Sequence, residues 1–218
     1  MTQIYAVRVG KKYGIEFEDY INSKFPKVNW IHEETVGVRQ WNKLLPMSLD
    51  IDEPVCVIDI DQIFLNNYMD IINYPIERGE FLIAKSWWQQ DNKSKYKIQG
   101  GLQKYYPKDC RYIYEKFIND PDYWMTYYIK NGTTHGPVNG EQYFVYDSAK
   151  ENLNVKFFPE TWNCKWIENP SKKYIVKANQ LYPGEWLYLD QFNPEIRVVH
   201  YQNVPLSHEE LTKFQDYF

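Results

Sequence analysis

The chain has 218 residues, a size at which one domain is the natural expectation and a hydrophobic core forms without disulfides or a structural metal. Its formal net charge of −4 gives no general attraction to nucleic acid, which needs clustered Lys and Arg, so any phosphate ligand must be held locally. Three cysteines, Cys56, Cys110 and Cys164, are an odd number with no C-x-x-C spacing, which argues against a disulfide framework or zinc knuckle and fits reduced thiols in the cytoplasm. The opening residues Met1-Thr2-Gln3-Ile4-Tyr5 show no basic segment followed by an apolar one, and no apolar run approaches the length of a membrane span. Neither secretion nor membrane insertion is therefore expected.

Gln3 to Val9 is rich in β-branched and apolar residues and closed by Gly10, and Ile15 to Phe25 places apolar residues at helical spacing ahead of Pro26. One strand and one helix follow. A second strand is expected over Val28 to Ile31, and a helix over Val38 to Leu49 with Pro46 near its end. Pro54 then opens Val55-Cys56-Val57-Ile58, an unbroken apolar run of the kind that forms a central strand covered on both faces. This alternation predicts an α/β domain with a mainly parallel, Rossmann-like sheet flanked by helices. Phe81 to Ala84 and Ile98 to Leu102 read as further strands, and Asp109 to Ile129 as a long aromatic-rich helix interrupted at Pro121. Gly140 to Lys150 is a shorter helix, and Val155 to Phe158 and Ile196 to His200 are late strands. Ser207, with Glu210 three residues on, marks the start of a terminal helix. No repeat, low-complexity tract or linker divides the chain, so residues 1–218 read as one domain.

The chemistry concentrates where Val55-Cys56-Val57-Ile58 runs into Asp59-Ile60-Asp61. Alternation puts both carboxylates on one face at the carboxyl end of a buried strand, the edge at which open α/β sheets bind ligands. Two adjacent carboxylates repel unless a cation lies between them, and hard oxygen donors suit Mg²⁺ or Mn²⁺, which can bridge to phosphate oxygens. A bare D-x-D tripeptide is weak evidence, since Asp50-Ile51-Asp52 and Asp120-Pro121-Asp122 match it too. Context separates them: the first precedes the strand in a polar loop, and the second flanks a proline at a helix break. Ile196-Arg197-Val198-Val199 would deliver His200 to the same sheet edge, where a neutral imidazole would complete the metal shell and favour Mn²⁺. The plainer alternative for His200 is a buried histidine bonded to backbone.

Further stretches carry a resemblance. Trp41-Asn42-Lys43-Leu44-Leu45-Pro46 and Asp52 to Asp61 resemble the helix, loop and strand before the metal motif of GT-A-fold glycosyltransferases in the glycogenin and bacterial galactosyltransferase group. Gly100-Gly101 resembles that group's glycine-containing strand, and Asn139-Gly140-Glu141-Gln142 its acidic residue followed by Gln at a helix start. Phe158-Pro159-Glu160-Thr161-Trp162-Asn163 resembles its Leu-Pro-x-x-aromatic-Asn strand, and Val199-His200-Tyr201 its late His-aromatic motif. The overall pattern is also similar to the small amino-terminal glycosyltransferase domain of the large chlorovirus glycosyltransferases. One departure is clear: after His200 the group has a glycine and a Lys-Pro pair, whereas Tyr201 to Leu206 keeps only Pro205.

The resemblance implies a metal-dependent glycosyltransferase of hexosyl or deoxyhexosyl units, taking a nucleotide-sugar donor, expected to be a UDP-sugar, and a glycan acceptor, with retention of configuration. A viral relative would work in the host cytoplasm, on glycoprotein glycans. It implies that Mn²⁺ or Mg²⁺ is held by Asp59, Asp61 and His200, and that Val7 and Arg8 lie under the base and ribose. Trp41, Lys43, Ile60, Lys85, Gly100 and Gly101 join these in binding the donor, and Glu141 and Gln142 stand near the anomeric carbon and acceptor. The missing lysine removes a diphosphate contact, for which Lys43, Lys85 or Arg8 could substitute. Trp87 and Trp88 could line a cleft, His135 could reach the acceptor, and His32 and His208 read as surface residues. Two alternatives stay open: a haloacid-dehalogenase-type phosphatase, from the likeness of Asp59-Ile60-Asp61-Gln62-Ile63 to D-x-D-x-[TV], and a non-catalytic nucleotide- or carbohydrate-binding module.

Overall fold

A computed structural model describes residues 1–65, 67–86, 96–131, 140–165 and 195–200. Trp87, Trp88, His135, His208 and the expected helix from Ser207 lie outside the described residues. The strands are β1 (Gln3–Val7), β2 (Val28–Ile31), β3 (Val55–Ile58), β4 (Gln62–Phe64), β5 (Glu80–Lys85), β6 (Ile98–Tyr105), β7 (Asn154–Phe157), β8 (Asn163–Lys165) and β9 (Val198–His200). The helices are α1 (Ile15–Lys24), α2 (Met69–Asn73), α3 (Pro107–Asn119), α4 (Pro121–Asn131) and α5 (Glu141–Asn152). None of the described helices is long and apolar enough to cross a membrane.

Six strands form one sheet in the order β2-β1-β3-β6-β5-β7. Only β6 runs against its neighbours, so the sheet is mainly parallel, as expected. Strand β3 sits at its centre, and its four residues are completely buried because the sheet is covered on both faces. Alternation sends Cys56 and Ile58 into a core with Phe17 and Ile21 of α1, and Val55 and Val57 into a second core with Trp41, Phe117 and Phe144. Cys56 and Cys110 are free, buried thiols.

Three local outcomes differ from the sequence pattern. Residues Arg39–Ser48 form a 3-10 helix instead of an α-helix. Asn42 Nδ2 donates to the Arg39 carbonyl at 2.8 Å, taking up an acceptor that α-helical pairing would use, and Pro46 has no N–H to return to Asn42. The long helix breaks at Pro121 as expected, with Asp120 Oδ1 capping α4 by accepting the Tyr123 N–H at 3.0 Å. A second small sheet, β4-β9-β8, is unannounced by the sequence, because β4 and β8 are three residues long and show no period. The Pro159-to-Asn163 stretch, expected as strand, is a 3-10 turn over Glu160–Trp162 that becomes strand only at Asn163.

Trp41 corrects its expected role as a donor contact. It is 0% exposed and stacks on Phe117 with centroids 4.7 Å apart, so it packs the core and offers no surface to a ligand. Trp41→Ala is expected to cost about 3–5 kcal/mol of stability, as a large cavity in a close-packed core does, read from the midpoint of urea unfolding.

Candidate active site

Strand β3 ends at Ile58, but its ladder to β6 continues one step, the Asp59 N–H donating to the Gly101 carbonyl at 2.9 Å. This anchors the backbone from which Asp59 and Asp61 depart. The Asp61 carboxylate accepts the Tyr13 hydroxyl at 2.8 Å, across 48 positions of chain. The Asp59 carboxylate is ion-paired with the Lys43 ammonium, which rises from the buried 3-10 segment. Lys43 Nζ also lies 3.9 Å from Glu141 Oε2 and 3.4 Å from the Gly100 carbonyl oxygen.

A bulge in β6 furnishes the floor. Ile83 of β5 pairs with Gln103, but its neighbour Ala84 pairs with Gln99, so residues 100–102 leave the β5 ladder while Leu102 still pairs with Ile58. Side chains bond the backbone groups of Gly100 and Gly101. The Gly100 N–H donates to Gln142 Oε1 at 2.7 Å, and the Gly101 N–H to Gln99 Oε1 at 3.1 Å. The Gly100 carbonyl accepts Gln103 Nε2 at 3.1 Å, and the Gly101 carbonyl accepts Gln62 Nε2 at 2.9 Å. At Gly100 proximity favours glycine, because a Cβ there would stand 2.5 Å from Gln142 Cβ; at Gly101 a Cβ would meet the ends of two site side chains, Gln62 Nε2 at 2.5 Å and Asp59 Oδ2 at 2.6 Å, and would displace them.

Glu141 opens α5 behind Gly140, whose φ of 151° is a conformation that only glycine adopts readily. The Glu141 carboxyl is 2% exposed and accepts Gln103 Nε2 at 3.0 Å. Burial pushes it up to about 7, with Lys43 and Gln103 pulling the other way and Asp59 adding to the rise. Burial and the neighbouring Asp59 push the Asp61 carboxyl up to about 6. For Lys43 burial alone would lower the ammonium, but Asp59 and Glu141 overrule it and hold it above its ordinary value. Three carboxyls thus face one ammonium, an excess of negative charge confined in a poorly solvated pocket.

That excess and its hard oxygen donors fit a divalent cation at Asp59 and Asp61. Among the described residues no group of three or more His, Cys, Asp and Glu side chains is placed to hold one. His200 does reach the region, buried at the end of β9, with Nδ1 2.9 Å from Gln62 Nε2.

The other expected contacts are distributed more widely. Val7 ends β1 opposite Ile31, and Arg8 beyond it is ion-paired with Glu18 at 2.6 Å, which His32 shares at 3.1 Å. Lys85, at the carboxyl end of β5, is paired with Glu160 at 2.8 Å. Ile60 is buried in the apolar core and presents no side chain to a donor. Asp50 and Asp52 are exposed and bound to Lys108, as a solvated loop should be. Tyr13, Gln62 and Gln103 enter the site without a motif to mark them; Gln62 alone has a signal, its place directly after Asp61.

The raised Glu141 carboxyl makes stability fall with pH. Between the ordinary carboxyl value near 4.5 and about 7 the folded state keeps a proton that the unfolded chain has released, so unfolding becomes easier as pH rises through that window. Glu141→Gln removes this contribution. Urea melts across pH 4.5 to 8 should show the wild type losing on the order of 3 kcal/mol relative to Glu141→Gln, with the difference constant above pH about 7.5.

No protein-family model matches the chain, and no curated protein matches it in sequence. Its fold, however, is that of glycosyltransferases of known structure. The chain is similar to a glycosyltransferase involved in glycosylation of the major capsid of PBCV-1, with 13% identity and a TM-score of 0.56 over 99% of this chain and 98% of that one. It is similar to the galactosyltransferase LgtC in complex with donor and acceptor sugar analogs, with 10% identity and a TM-score of 0.58 over 99% and 95% of the two chains. The glycosyltransferase GlyE of Streptococcus pneumoniae TIGR4 is matched with 11% identity and a TM-score of 0.59, this chain spanning 60% of its length. The architecture is thus the GT-A type that the resemblance implied. The phosphatase alternative would put the aspartates on the first strand, whereas they follow β3.

Proposed function

We propose that the chain is a glycosyltransferase that moves a sugar from a nucleotide-sugar donor, a UDP-sugar, to a glycan acceptor. The observation that carries this reading is the convergence of Asp59, Asp61, Lys43 and Glu141 on the glycine bulge of β6, at the carboxyl edge of a sheet whose fold is found in glycosyltransferases. Asp59 and Asp61 would hold Mn²⁺ or Mg²⁺, which supplies positive charge against the departing nucleoside diphosphate. Lys43 keeps the Asp59 carboxylate oriented and partly neutralised, and through Glu141 it ties the metal pair to the start of α5. We place Glu141, which opens that helix buried against Lys43 and Gln103, beside a positive oxocarbenium-like centre as the resemblance implies, and Gln142 braces the bulge next to it. We take the transfer to retain configuration and the sugar to be a hexosyl or deoxyhexosyl unit. The PBCV-1 protein's involvement in glycosylation of the major capsid supports a viral glycoprotein glycan as product, and we take the host cytoplasm as the place of work.

A panel of nucleotide sugars with Mn²⁺, followed by release of nucleoside diphosphate, tests the reading. Asp61→Asn should lower turnover by about 100-fold or more, as loss of a charge that stabilises the leaving group does, with folding intact. Asp50→Asn and Asp52→Asn should stay within a few fold of wild type; a loss there equal to that of Asp61→Asn would assign the metal to the wrong pair. Phosphate released from monoesters would point to a phosphatase, and donor binding without turnover to a binding module.

A further inference from the structure

Gln62 has no part in the chemistry above, yet it is 1% exposed and bonded to two components of the site. It stands opposite His200 in the β4–β9 register. Its Nε2 lies 2.9 Å from the Gly101 carbonyl oxygen and 2.9 Å from His200 Nδ1. A carbonyl oxygen can only accept, so the amide atom facing it must be the nitrogen. A flipped amide would set Gln62 Oε1 against Gly101 O, and that carbonyl cannot turn away because it also receives the Asp59 N–H. The amide nitrogen has two hydrogens. One serves Gly101, the other points at His200 Nδ1, and Nδ1 must answer with its lone pair. A neutral imidazole with a bare Nδ1 carries its proton on Nε2.

This arrangement is the reverse of what a metal-bound histidine needs. A ligating imidazole donates its second ring N–H to a carboxylate, carbonyl or water, while here the partner of the second nitrogen is itself a donor. We propose that Gln62 is a positioning residue that fixes His200 as the Nε2–H tautomer, so that His200 serves the site as a hydrogen-bond donor and not as a metal ligand. The acceptor this donor suits is an anionic oxygen of the donor's diphosphate, a point that rests on the glycosyltransferase reading, whereas the tautomer does not. The proposal replaces the expectation that His200 completes the shell of Asp59 and Asp61.

Long-range ¹H–¹⁵N NMR on metal-free, ¹⁵N-histidine-labelled protein at pH 8 reads the tautomer directly. The chain has four histidines, and the signals lost in His200→Asn identify His200. A pyrrole-type Nε2 and pyridine-type Nδ1 are expected; the opposite pattern, or averaged signals from two exchanging tautomers, overturns the proposal. Gln62→Glu, which replaces the donor by an acceptor, should reverse the pattern, and an unchanged tautomer in that variant would remove Gln62 as its cause. Pulsed EPR with Mn²⁺ alone provides a second readout. No directly bonded imidazole nitrogen is expected in the wild type, and one should emerge in Gln62→Glu. A coordinated nitrogen in the wild type that vanishes in His200→Asn would refute the assignment. Failure to bind Mn²⁺ at all would count against the metal site of the proposed function, while the NMR result would still decide the tautomer.

Discussion

The site depends on one buried cation. Lys43 places an ammonium among three carboxyls in a pocket where two neighbouring carboxylates could not both stay ionised at small cost. Its position is set by apolar packing more than by charge. Trp41 stacks on Phe117 and is flanked by Phe144, which seats the 3-10 segment, and Asn42 ties that segment to residues 35–39 through its whole amide. Lys43 then extends toward the Gly100 carbonyl and Asp59. Removing the cation from such a cluster would leave buried charge uncompensated, which is why the arrangement is sensitive to single substitutions.

The antiparallel strand gives that cation its counterparts. Because β6 runs against β3, its early residues lie at the carboxyl edge, beside the aspartates. A regular strand there would spend its backbone groups on β5. The bulge instead hands those of Gly100 to Gln103, Gln142 and Lys43, while Gly101, still on the β3 side, is met by Gln62 and Gln99, so the floor of the site is held by side chains from four parts of the chain. Glycine at position 100 follows from the approach of Gln142, and a side chain at position 101 would push aside the ends of Asp59 and Gln62.

How much of this was legible in the sequence follows from the range of each interaction. The run Val55 to Ile58 announced a central strand because complete burial demands an unbroken apolar stretch, and Asp59-Ile60-Asp61 stood out from its two decoys because only it ends such a run. The decoys lie where local context put them, in a solvated loop and at the helix break of Pro121, where Asp120 caps α4. Short elements such as β4 and α2 carry too few residues to display a period. Tyr13 meets Asp61 across 48 positions and Gln103 meets Glu141 across 38, and no local pattern encodes such contacts. Trp41 was drawn into the donor site because a motif names residue types without their burial. His200 was brought to the correct edge by its strand, but its partner Gln62 lies 138 positions away, and the proton's location depends on that partner.

On the proposed reading, the lysine missing after His200 leaves a diphosphate to be met by another cation, and the partners of the three candidates rank them. Lys43 is buried and already serves Asp59 and Glu141, so moving it would expose both carboxylates to each other. Arg8 shares Glu18 with His32, and Glu18 is held below its usual range by these partners in spite of its partial burial. Lys85 differs. Its ion pair with Glu160 is open to water on both sides, with 37% and 44% of the side chains exposed, and such pairs are worth about 0–1 kcal/mol. It also stands at the carboxyl end of β5, on the edge shared with Asp59. On the glycosyltransferase reading proposed above, exchanging Glu160 for a diphosphate, with its higher charge, costs Lys85 least of these three described cations.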